Sequence, residues 1–178
     1  ITKIFFKNSR LIRPPLFIRN KKNINFGKNL TTGRFCRIET FKNIGLEEKI
    51  KFGNDVQIGD FVHISAIDSI SIGDNTLLAS KVLIIDHDHG YYDNSNHASN
   101  PNSIPVLRDL KSKSILIGSN VWVGDNVVIS KGSDIGEGSV IGANSFVNST
   151  IPSFSVAIGN PAKVIKFYDF DNKVWKKK

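Results

Sequence analysis

Histidine is the side chain in this sequence best suited to remove a proton from a hydroxyl near neutral pH, and it is scarce. The four histidines are His63, His87, His89 and His97. Asp86 and Asp88 flank His87, and a carboxylate beside an imidazole can fix its tautomer and support the imidazolium that forms. The segment around His87 and His89 is therefore a candidate general-base site, although the two aspartates also fit a plain polar loop.

The single cysteine is a weaker candidate for chemistry. Cys36 lies between Phe35 and Arg37, far in sequence from the histidine cluster, so we expect core packing and no acyl-enzyme. One cysteine excludes an internal disulfide and fits a reducing compartment. Because no secretory leader and no apolar run of roughly 18 residues is visible, we expect a cytoplasmic protein.

The net charge of +8 is concentrated at the two ends of the chain. Residues 1–38 carry ten Lys or Arg and no acid, and residues 163–178 carry six Lys against two Asp. This pattern predicts anionic partners, such as cofactor phosphates, a lipid-linked substrate, or a membrane surface touched by the basic N-terminus. Solvated charge is the plainer alternative. No nucleic-acid-binding motif accompanies the charge, so nucleic acid is not expected.

A period of six residues organises the elements that must position these side chains. The strong positions are Phe52, Ile58, Ile64, Ile70, Ile72, Leu78, Ile84, Ile117, Val123, Ile129, Ile135, Ile141 and Val147, and the weaker ones are Phe26, Thr32, Ile38 and Ile44. Such a period fits neither an amphipathic helix nor a flat strand, but it fits short strands that turn around a prism. We expect glycine at the second position, and the Asp-Asn or Gly-Ser that follows, to supply the backbone freedom of each corner.

The repeat pattern predicts one all-β domain over residues 1–178, built as a parallel β-helix. We divide it into a basic N-terminal segment (1–25), hexapeptide coils (26–151), and a C-terminal strand with a basic tail (152–178). A polar, aperiodic loop over about 87–114 interrupts the coils. A long insertion of this kind in a compact fold usually carries function.

The sequence resembles the hexapeptide-repeat acyltransferases, which form left-handed parallel β-helices. The resemblance is closest to the maltose/galactoside acetyltransferase branch and to the bacterial polysaccharide O-acetyltransferases. It rests on IGDNTLLASKVLIIDHDHGYY, IGSNVWVGDNVVISKGSDIGEGSVIGANSFV and AIGNPAKVIK, in that order. It implies a homotrimer with acetyl-CoA between neighbouring chains and direct acetyl transfer to a hydroxyl or amine. No metal is expected.

The resemblance also implies roles for individual residues. It favours His89 as the base, because His89 follows Ile84 by five residues. A two-residue shift in the register of the repeat would select His87 instead, and His97 is a remote third candidate. The residues implied to contact the cofactor are Trp122, Gly124, Ala143, Ser145, Lys163 and Lys166. Those implied to contact the acceptor are Ser65, His63 and Asp88. Core packing remains an equal alternative for Trp122.

The acceptor is the open point. The resemblance favours a sugar hydroxyl of O-antigen, capsule or exopolysaccharide, on the polymer or on a lipid-linked precursor. An N-acetyltransferase of an amino sugar and an antibiotic acetyltransferase are the alternatives. A zinc enzyme like the γ-class carbonic anhydrases is remote because the histidine spacing is wrong, and a non-catalytic scaffold is a further alternative.

Overall fold

A three-sided prism of parallel sheets forms the body of the chain. The computed structural model describes residues 6–41 and 48–178. In each turn of the chain, which we call a coil, one short strand joins each of the three sheets. We call them sheet A, which begins with Leu11–Ile12, sheet B, which begins with Leu16–Arg19, and sheet C, which begins with Ile24–Asn25. Neighbouring coils stack in parallel register. The described segments contain no helix long and apolar enough to span a bilayer.

The strands follow one another in regular order around the prism. The first three coils contain β1 (Leu11–Ile12), β2 (Leu16–Arg19), β3 (Ile24–Asn25), β4 (Thr31–Thr32), β5 (Cys36–Thr40), β6 (Ile50–Phe52), β7 (Gln57–Ile58), β8 (His63–Ala66) and β9 (Ile70–Ile72). The fourth coil, with its interruption, contains β10 (Leu77–Leu78), β11 (Leu83–Ile85), β12 (His87–His89), β13 (Leu110–Ser112) and β14 (Ile115–Ile117). The last two coils contain β15 (Trp122–Val123), β16 (Val128–Ser130), β17 (Asp134–Ile135), β18 (Val140–Ile141), β19 (Phe146–Val147) and β20 (Thr150–Ile151). The chain closes with β21 (Ser155–Gly159), β22 (Ala162–Asp169) and β23 (Val174–Lys177).

The aliphatic position of the repeat forms the core. All thirteen strong positions are buried, and the most exposed of them, Ile58, shows only 4% of its surface. In the weaker series Thr32 and Ile38 are buried and Phe26 is half-buried, while Ile44 lies outside the described residues. Ile70 and Ile72 both face inward from β9, which explains the two-residue slip in the period.

Glycine at the second position of the repeat has a different reason from the expected one. A Cβ on Gly73 would lie 2.4 Å from the backbone nitrogen of Ser119 in the next coil, so only glycine allows the coils to stack this closely. The left-handed backbone falls two residues later, at Asn75, with φ of 57°. Asparagine tolerates that region better than most residues. The second position of the repeat therefore allows close stacking of the coils, and the residue two positions later provides the turn.

Two boundaries differ from the sequence expectation. The stack already includes β1 to β3, so coils begin near Leu11 and the basic segment 1–25 is partly built into the prism. The interruption at about 87–114 also has structure of its own. It opens with the antiparallel pair β12 and β13 and carries a short 3₁₀ turn at Pro105–Leu107.

Candidate functional site

The chain leaves the prism at the corner between sheets B and C, and both candidate bases lie just beyond this point. The carbonyl of Asp86 accepts a hydrogen bond from the backbone N–H of Lys113, 3.0 Å away, which closes the base of the interruption. There β12 and β13 form a two-stranded ribbon, which we call the histidine ribbon. His87 and His89 are two residues apart on β12, so their side chains point to the same face.

His87 is anchored by the carboxylate of Asp86. Its Nδ1 lies 2.8 Å from Oδ1 of Asp86, which is fully buried and also accepts backbone N–H groups of Ile67 and Asp68 at 3.0 and 2.8 Å. The imidazole is 8% exposed and meets the ring of Phe41 edge-on, with ring centres 6.0 Å apart. Asp86 therefore has a positioning role that a plain loop aspartate would lack.

His89 has the opposite environment. Its side chain is exposed on the open end of the same ribbon face. Its backbone carbonyl accepts a hydrogen bond from the hydroxyl of Tyr92, which Arg108 also contacts at 2.9 Å, so the backbone at this end of the ribbon is held in place. A positioned and solvent-accessible imidazole is the arrangement that a general base requires.

The remaining loop residues lie apart from these two imidazoles. Asp88 alternates to the other face of β12 and pairs with Lys131, so it does not lie beside His89. His97 is exposed farther along the loop. Asp93 accepts a hydrogen bond from Lys111 at 2.5 Å, and this bond holds the pKa of Asp93 well below its usual range.

Sheet B carries a second polar cluster on its outer face. His63 Nε2 lies 2.9 Å from one carboxylate oxygen of Glu39, and Arg37 donates to the other at 2.8 Å. Burial acts to raise the pKa of Glu39, but the hydrogen bonds from His63 and Arg37 outweigh it and lower the pKa overall. Ser65 is adjacent to Glu39 in the ladder and is buried. His63 and Ser65, both predicted to contact the acceptor, thus lie on one face with Glu39.

Glu39 was not among the residues singled out from sequence. It is the first acidic residue in the chain, and Arg37-Ile38-Glu39 alternates polar and apolar side chains as an exposed strand face does. That alternation is the signal that could have identified it.

An open groove of about 670 Å³ lies next to this cluster. We call it the N-terminal groove; it is lined by Leu16, Phe17, Ile18, Arg19, Phe35, Arg37 and Glu39. The Arg19 guanidinium also lies over the ring of Phe41, 5.0 Å from its centre. Phe41 also contacts His87, so its ring lies between Arg19 of the groove and the histidine ribbon.

On the other side of the prism, the outer face of sheet A carries a straight row of side chains. Trp122 is 52% exposed, which excludes core packing in this chain. Partners in the ladder lead from Trp122 to Val140, Val156 and Lys166. We call these four residues the tryptophan row. Three strand spacings separate Trp122 from Lys166, or roughly 14 Å.

A β-bulge determines where the two predicted phosphate-binding lysines point. Lys163 pairs with Ile158 and Lys166 with Val156, and the register shifts between Val156 and Ala157. Three residues apart on a regular strand, the lysines would face opposite sides, but the extra residue turns Lys166 to the outer face with Lys163. Both amino groups therefore lie on the face that carries Trp122.

The other predicted cofactor residues form the corner beside the row. Ala143 is exposed, whereas Gly124 is buried and a Cβ there would lie 2.7 Å from the backbone nitrogen of Ala143. Ser145 is also buried: its hydroxyl donates to the Gly142 carbonyl and accepts the N–H of Gly159. Coil stacking is therefore sufficient to explain the small residue at Gly124 and the hydroxyl of Ser145.

Cys36 is buried in the core, as the sequence predicts. Its Sγ lies 3.1 Å from the carbonyl oxygen of Gly59, and burial raises the pKa of the thiol. A buried thiol with a raised pKa is a poor nucleophile. Elsewhere, residues 6–41 and 48–178 contain no group of three His, Cys, Asp or Glu side chains arranged to hold a metal ion.

The hexapeptide repeat and the fold also connect this chain with known proteins. The sequence profile of the bacterial transferase hexapeptide family (six repeats) matches residues 114–149. A protein of Escherichia coli K12, provisionally named lipopolysaccharide biosynthesis O-acetyl transferase WbbJ, is 46% identical over 177 residues. The alignment covers 99% of this chain and 88% of that protein.

Two solved structures share the fold. AntD, an N-acyltransferase from Bacillus cereus in complex with dTDP-4-amino-4,6-dideoxyglucose and coenzyme A, superposes with a TM-score of 0.76 at 22% identity. The match covers 93% of this chain and 84% of AntD. The polySia-specific acetyltransferase NeuO superposes with a TM-score of 0.58 at 28% identity, covering 92% of this chain and 69% of NeuO. The expected fold, a left-handed parallel β-helix, is confirmed.

Proposed function

Because the chain belongs to the hexapeptide-repeat acyltransferases, we propose that it is an acetyl-CoA-dependent O-acetyltransferase acting on a sugar hydroxyl of a bacterial surface polysaccharide or its precursor. The observation that carries the proposal is an exposed imidazole, His89, on a ribbon tied firmly to the stack. The name given to WbbJ supports a lipopolysaccharide-type acceptor. The basic residues 1–38 suit a precursor linked to a lipid diphosphate and presented at a membrane surface.

In the proposed reaction His89 acts as the general base. Its unprotonated ring nitrogen accepts the proton of the acceptor hydroxyl while that oxygen attacks the thioester carbonyl carbon. The carbon–sulfur bond then breaks, and the imidazolium returns the proton to the departing CoA thiolate. Direct transfer of this kind needs no protein nucleophile, which agrees with the burial of Cys36.

His89 suits this role better than His87. One nitrogen of His87 is occupied by Asp86, and the ring is nearly covered, so little space is left for a sugar. His89 projects from the same face with its ring accessible. We assign to His87 and Asp86 the task of holding the root of β12 against the prism.

We propose that CoA lies along the tryptophan row. The pantetheine arm would pack on Trp122, Val140 and Val156, and the phosphates would meet Lys166 and Lys163. Lysine offers phosphate a point charge without demanding bidentate geometry. Ala143 borders the same path, whereas Gly124 and Ser145 support it from beneath.

This assignment requires more than one chain. The tryptophan row lies on sheet A, and the histidine ribbon leaves from the corner opposite to sheet A. One copy therefore cannot bring His89 to a thioester held on its own row. The exposed apolar side chains of Ile104, Val106 and Leu107 on the interruption suit contact with a second copy. We propose a cyclic homotrimer in which the ribbon of one chain faces the row of its neighbour.

Surface glycan from cells with and without the gene provides the direct test. Mass spectrometry should show acetyl groups that disappear with the gene and return when it is restored. Mild alkali should also remove them, because it cleaves acetyl esters and leaves acetyl amides intact. Loss of an alkali-stable acetyl group would contradict O-acetylation and indicate an amino-sugar acceptor, while an unchanged glycan would contradict the proposed substrate class.

A further inference from the structure

The N-terminal groove combines side chains that the proposed reaction has not used. Arg19 and Arg37 contribute two guanidinium groups against the single carboxylate of Glu39. Phe17 and Phe35 are 58% and 48% exposed, which is unusual for large aromatic side chains. A volume of about 670 Å³ lies within the range of small-molecule sites, roughly 300–1,000 Å³.

We propose that this groove binds a sugar unit bearing an anionic group, a carboxylate or a phosphate, as part of the acceptor. The inference rests on the proposed acetyl transfer and names the acceptor chemistry on the ribbon side. Arginine binds both kinds of oxyanion in bidentate fashion. Exposed aromatic faces pack against the C–H faces of a sugar ring, and the carboxylate of Glu39 can accept sugar hydroxyls.

Charge in the groove favours an anion. Glu39 is already held by Arg37 and His63, so its charge is largely compensated. Arg37 is half exposed and keeps further N–H donors beyond the one given to Glu39. Arg19 lies over Phe41 and pairs with no carboxylate in the described part of the chain. The uncompensated charge is therefore positive.

The groove also lies where an acceptor must be. Arg19 is 5.0 Å from the Phe41 ring centre, and that ring lies 6.0 Å from the ring of His87. A sugar in the groove is thus one aromatic side chain away from the ribbon face that carries His89. A neighbouring sugar of the same glycan could present its hydroxyl to the base.

Phe35 gives independent support, because the backbone conformation at this position is unfavourable for phenylalanine. Its φ is 58°, as is that of Phe61 directly above it, and the two rings stack at 5.1 Å. The equivalent corner position in the later coils holds Lys81, Asn126 and Asn144, and asparagine accepts this backbone region more readily than phenylalanine does. Turn geometry alone would not select phenylalanine, so the two exposed rings need another reason, and a stacking surface for a sugar supplies one.

Titration by ligand-observed NMR tests the proposal directly, with glucuronic acid, glucose 1-phosphate, glucose and inorganic phosphate as probes at millimolar concentrations. Both anionic sugars should bind more tightly than glucose or phosphate alone. Arg19→Gln should weaken the anionic sugars about tenfold, the loss expected for one charge-assisted hydrogen bond, and leave glucose unchanged. Arg10→Gln is the matched control, because Arg10 pairs with Asp55 outside the groove, and it should change nothing.

Phe35→Asn separates binding from folding. Asparagine suits the left-handed backbone, so the melting temperature should change little while affinity for all three sugars falls. The proposal would be overturned if glucose bound as tightly as the anionic sugars, or if Arg19→Gln bound the anionic sugars as tightly as the wild type. It would also be overturned if inorganic phosphate bound as tightly as glucose 1-phosphate. A change from trimer to monomer in Arg19→Gln would overturn it too, since the groove would then be an interface between copies.

The same variants distinguish this inference from the proposed function. His89→Ala should bind the anionic sugars normally while losing acetyl transfer. If the wild type binds them but never transfers acetyl, the proposed function fails and the groove assignment stands. If transfer to the native glycan proceeds in Arg19→Gln with unchanged kcat and KM, the groove assignment fails and the proposed function stands.

Discussion

The histidine ribbon interrupts the fourth coil, whereas the tryptophan row begins in the fifth, and the two differ in almost every respect. The ribbon interrupts the repeat, leaves the prism at a corner and is fixed by side chains such as Asp86. The row is uninterrupted, and simple strand-to-strand pairing aligns Trp122 with Val140 and Val156. Our proposal thus places proton chemistry where the repeat breaks and cofactor binding where it continues.

Under the proposed assignment, the difference explains why one chain would be an incomplete enzyme. A repeating face can recognise a long ligand such as CoA, but it repeats the same few side chains and offers little scope for a reactive group. A break in the repeat can position an imidazole, yet it lies on the far side of the prism from the row. The proposed trimer resolves this conflict, because it brings the ribbon of one chain beside the row of another.

The largest expected effect comes from removing the base on the ribbon. His89→Ala should lower kcat by ~10²–10⁴-fold and leave acetyl-CoA binding nearly intact, because a base acts in the transition state. Steady-state kinetics with a glycan acceptor and calorimetric binding of CoA measure the two quantities. His97→Ala, an exposed loop histidine, is the control and should behave as wild type.

His87→Ala sharpens the assignment within the ribbon. It should reduce activity less than His89→Ala and should lower the melting temperature, because it removes one of the hydrogen-bond partners of the buried Asp86. An inactive His87→Ala beside an active His89→Ala would transfer the role of base to His87. Full activity in both variants would contradict histidine catalysis.

Mixing two inactive variants tests whether ribbon and row come from different chains. His89→Ala and Trp122→Ala, each poorly active alone, should regain activity when they are unfolded together and refolded as mixed trimers. With random assembly the recovery should reach about a quarter of the wild-type value, since one interface in four carries both intact residues. No recovery, in assemblies shown by native mass spectrometry to be mixed, would mean that each site is built within one chain.

A smaller effect is expected at the phosphate end of the row. Lys163→Ala combined with Lys166→Ala should raise the KM for acetyl-CoA several-fold with little change in kcat, because exposed charge pairs contribute only about 0.2–1 kcal/mol each. The penalty should decrease at high salt and for an acetylated pantetheine fragment without the nucleotide. Lys173→Ala, on the turn beyond β22, is the control. An equal loss with both donors would separate these lysines from the phosphates.

The smallest effect concerns the stability of the sheet B face beside the ribbon. Because the folded-state pKa of Glu39 is lowered, its ionised form stabilises the fold above the unfolded-state pKa of about 4.3, and this contribution is lost as pH falls through the lower folded-state value. Glu39→Gln should therefore reduce the free energy of unfolding by about 1 kcal/mol at pH 7. The difference from wild type should shrink in acid.

Chemical denaturation at several pH values measures this difference. Glu137→Gln, at an exposed acid without an ion pair in the described chain, should leave the free energy of unfolding unchanged. A Glu39→Gln deficit that persists at pH 3 would show that packing, and not the charge of Glu39, is responsible.

The sequence predicted the stack of coils well because the pattern that specifies each coil is local in the sequence. Each strong position of the repeat, from Phe52 to Val147, is specified by a six-residue period that can be read in the chain itself. The histidine segment was visible for a similar reason, since His87 and His89 lie next to each other where the period fails. Which imidazole stays open was not visible, because it depends on β13 pairing from more than twenty residues away.

The features that escaped prediction depend on contacts between coils. Glu39 meets His63 only because β5 and β8 stack, and nothing in the local sequence marks that pairing. Lys163 and Lys166 share a face because of a β-bulge, and no turn residue in the sequence indicates this bulge. Gly73 was understood as a flexible corner, whereas the distance to Ser119 in the next coil is what requires glycine.

The closure of the interruption at Asp86 and Lys113 has an evolutionary consequence. Since the chain leaves the prism and returns to it at one point, the packing of the coils on either side does not depend on how many residues lie between Asp86 and Lys113. Lengthening such a segment costs only about 0.6 kcal/mol for each doubling. We therefore expect that a longer or shorter insertion at this point would leave the folding of the scaffold and the proposed donor site unchanged while altering the surface offered to the acceptor.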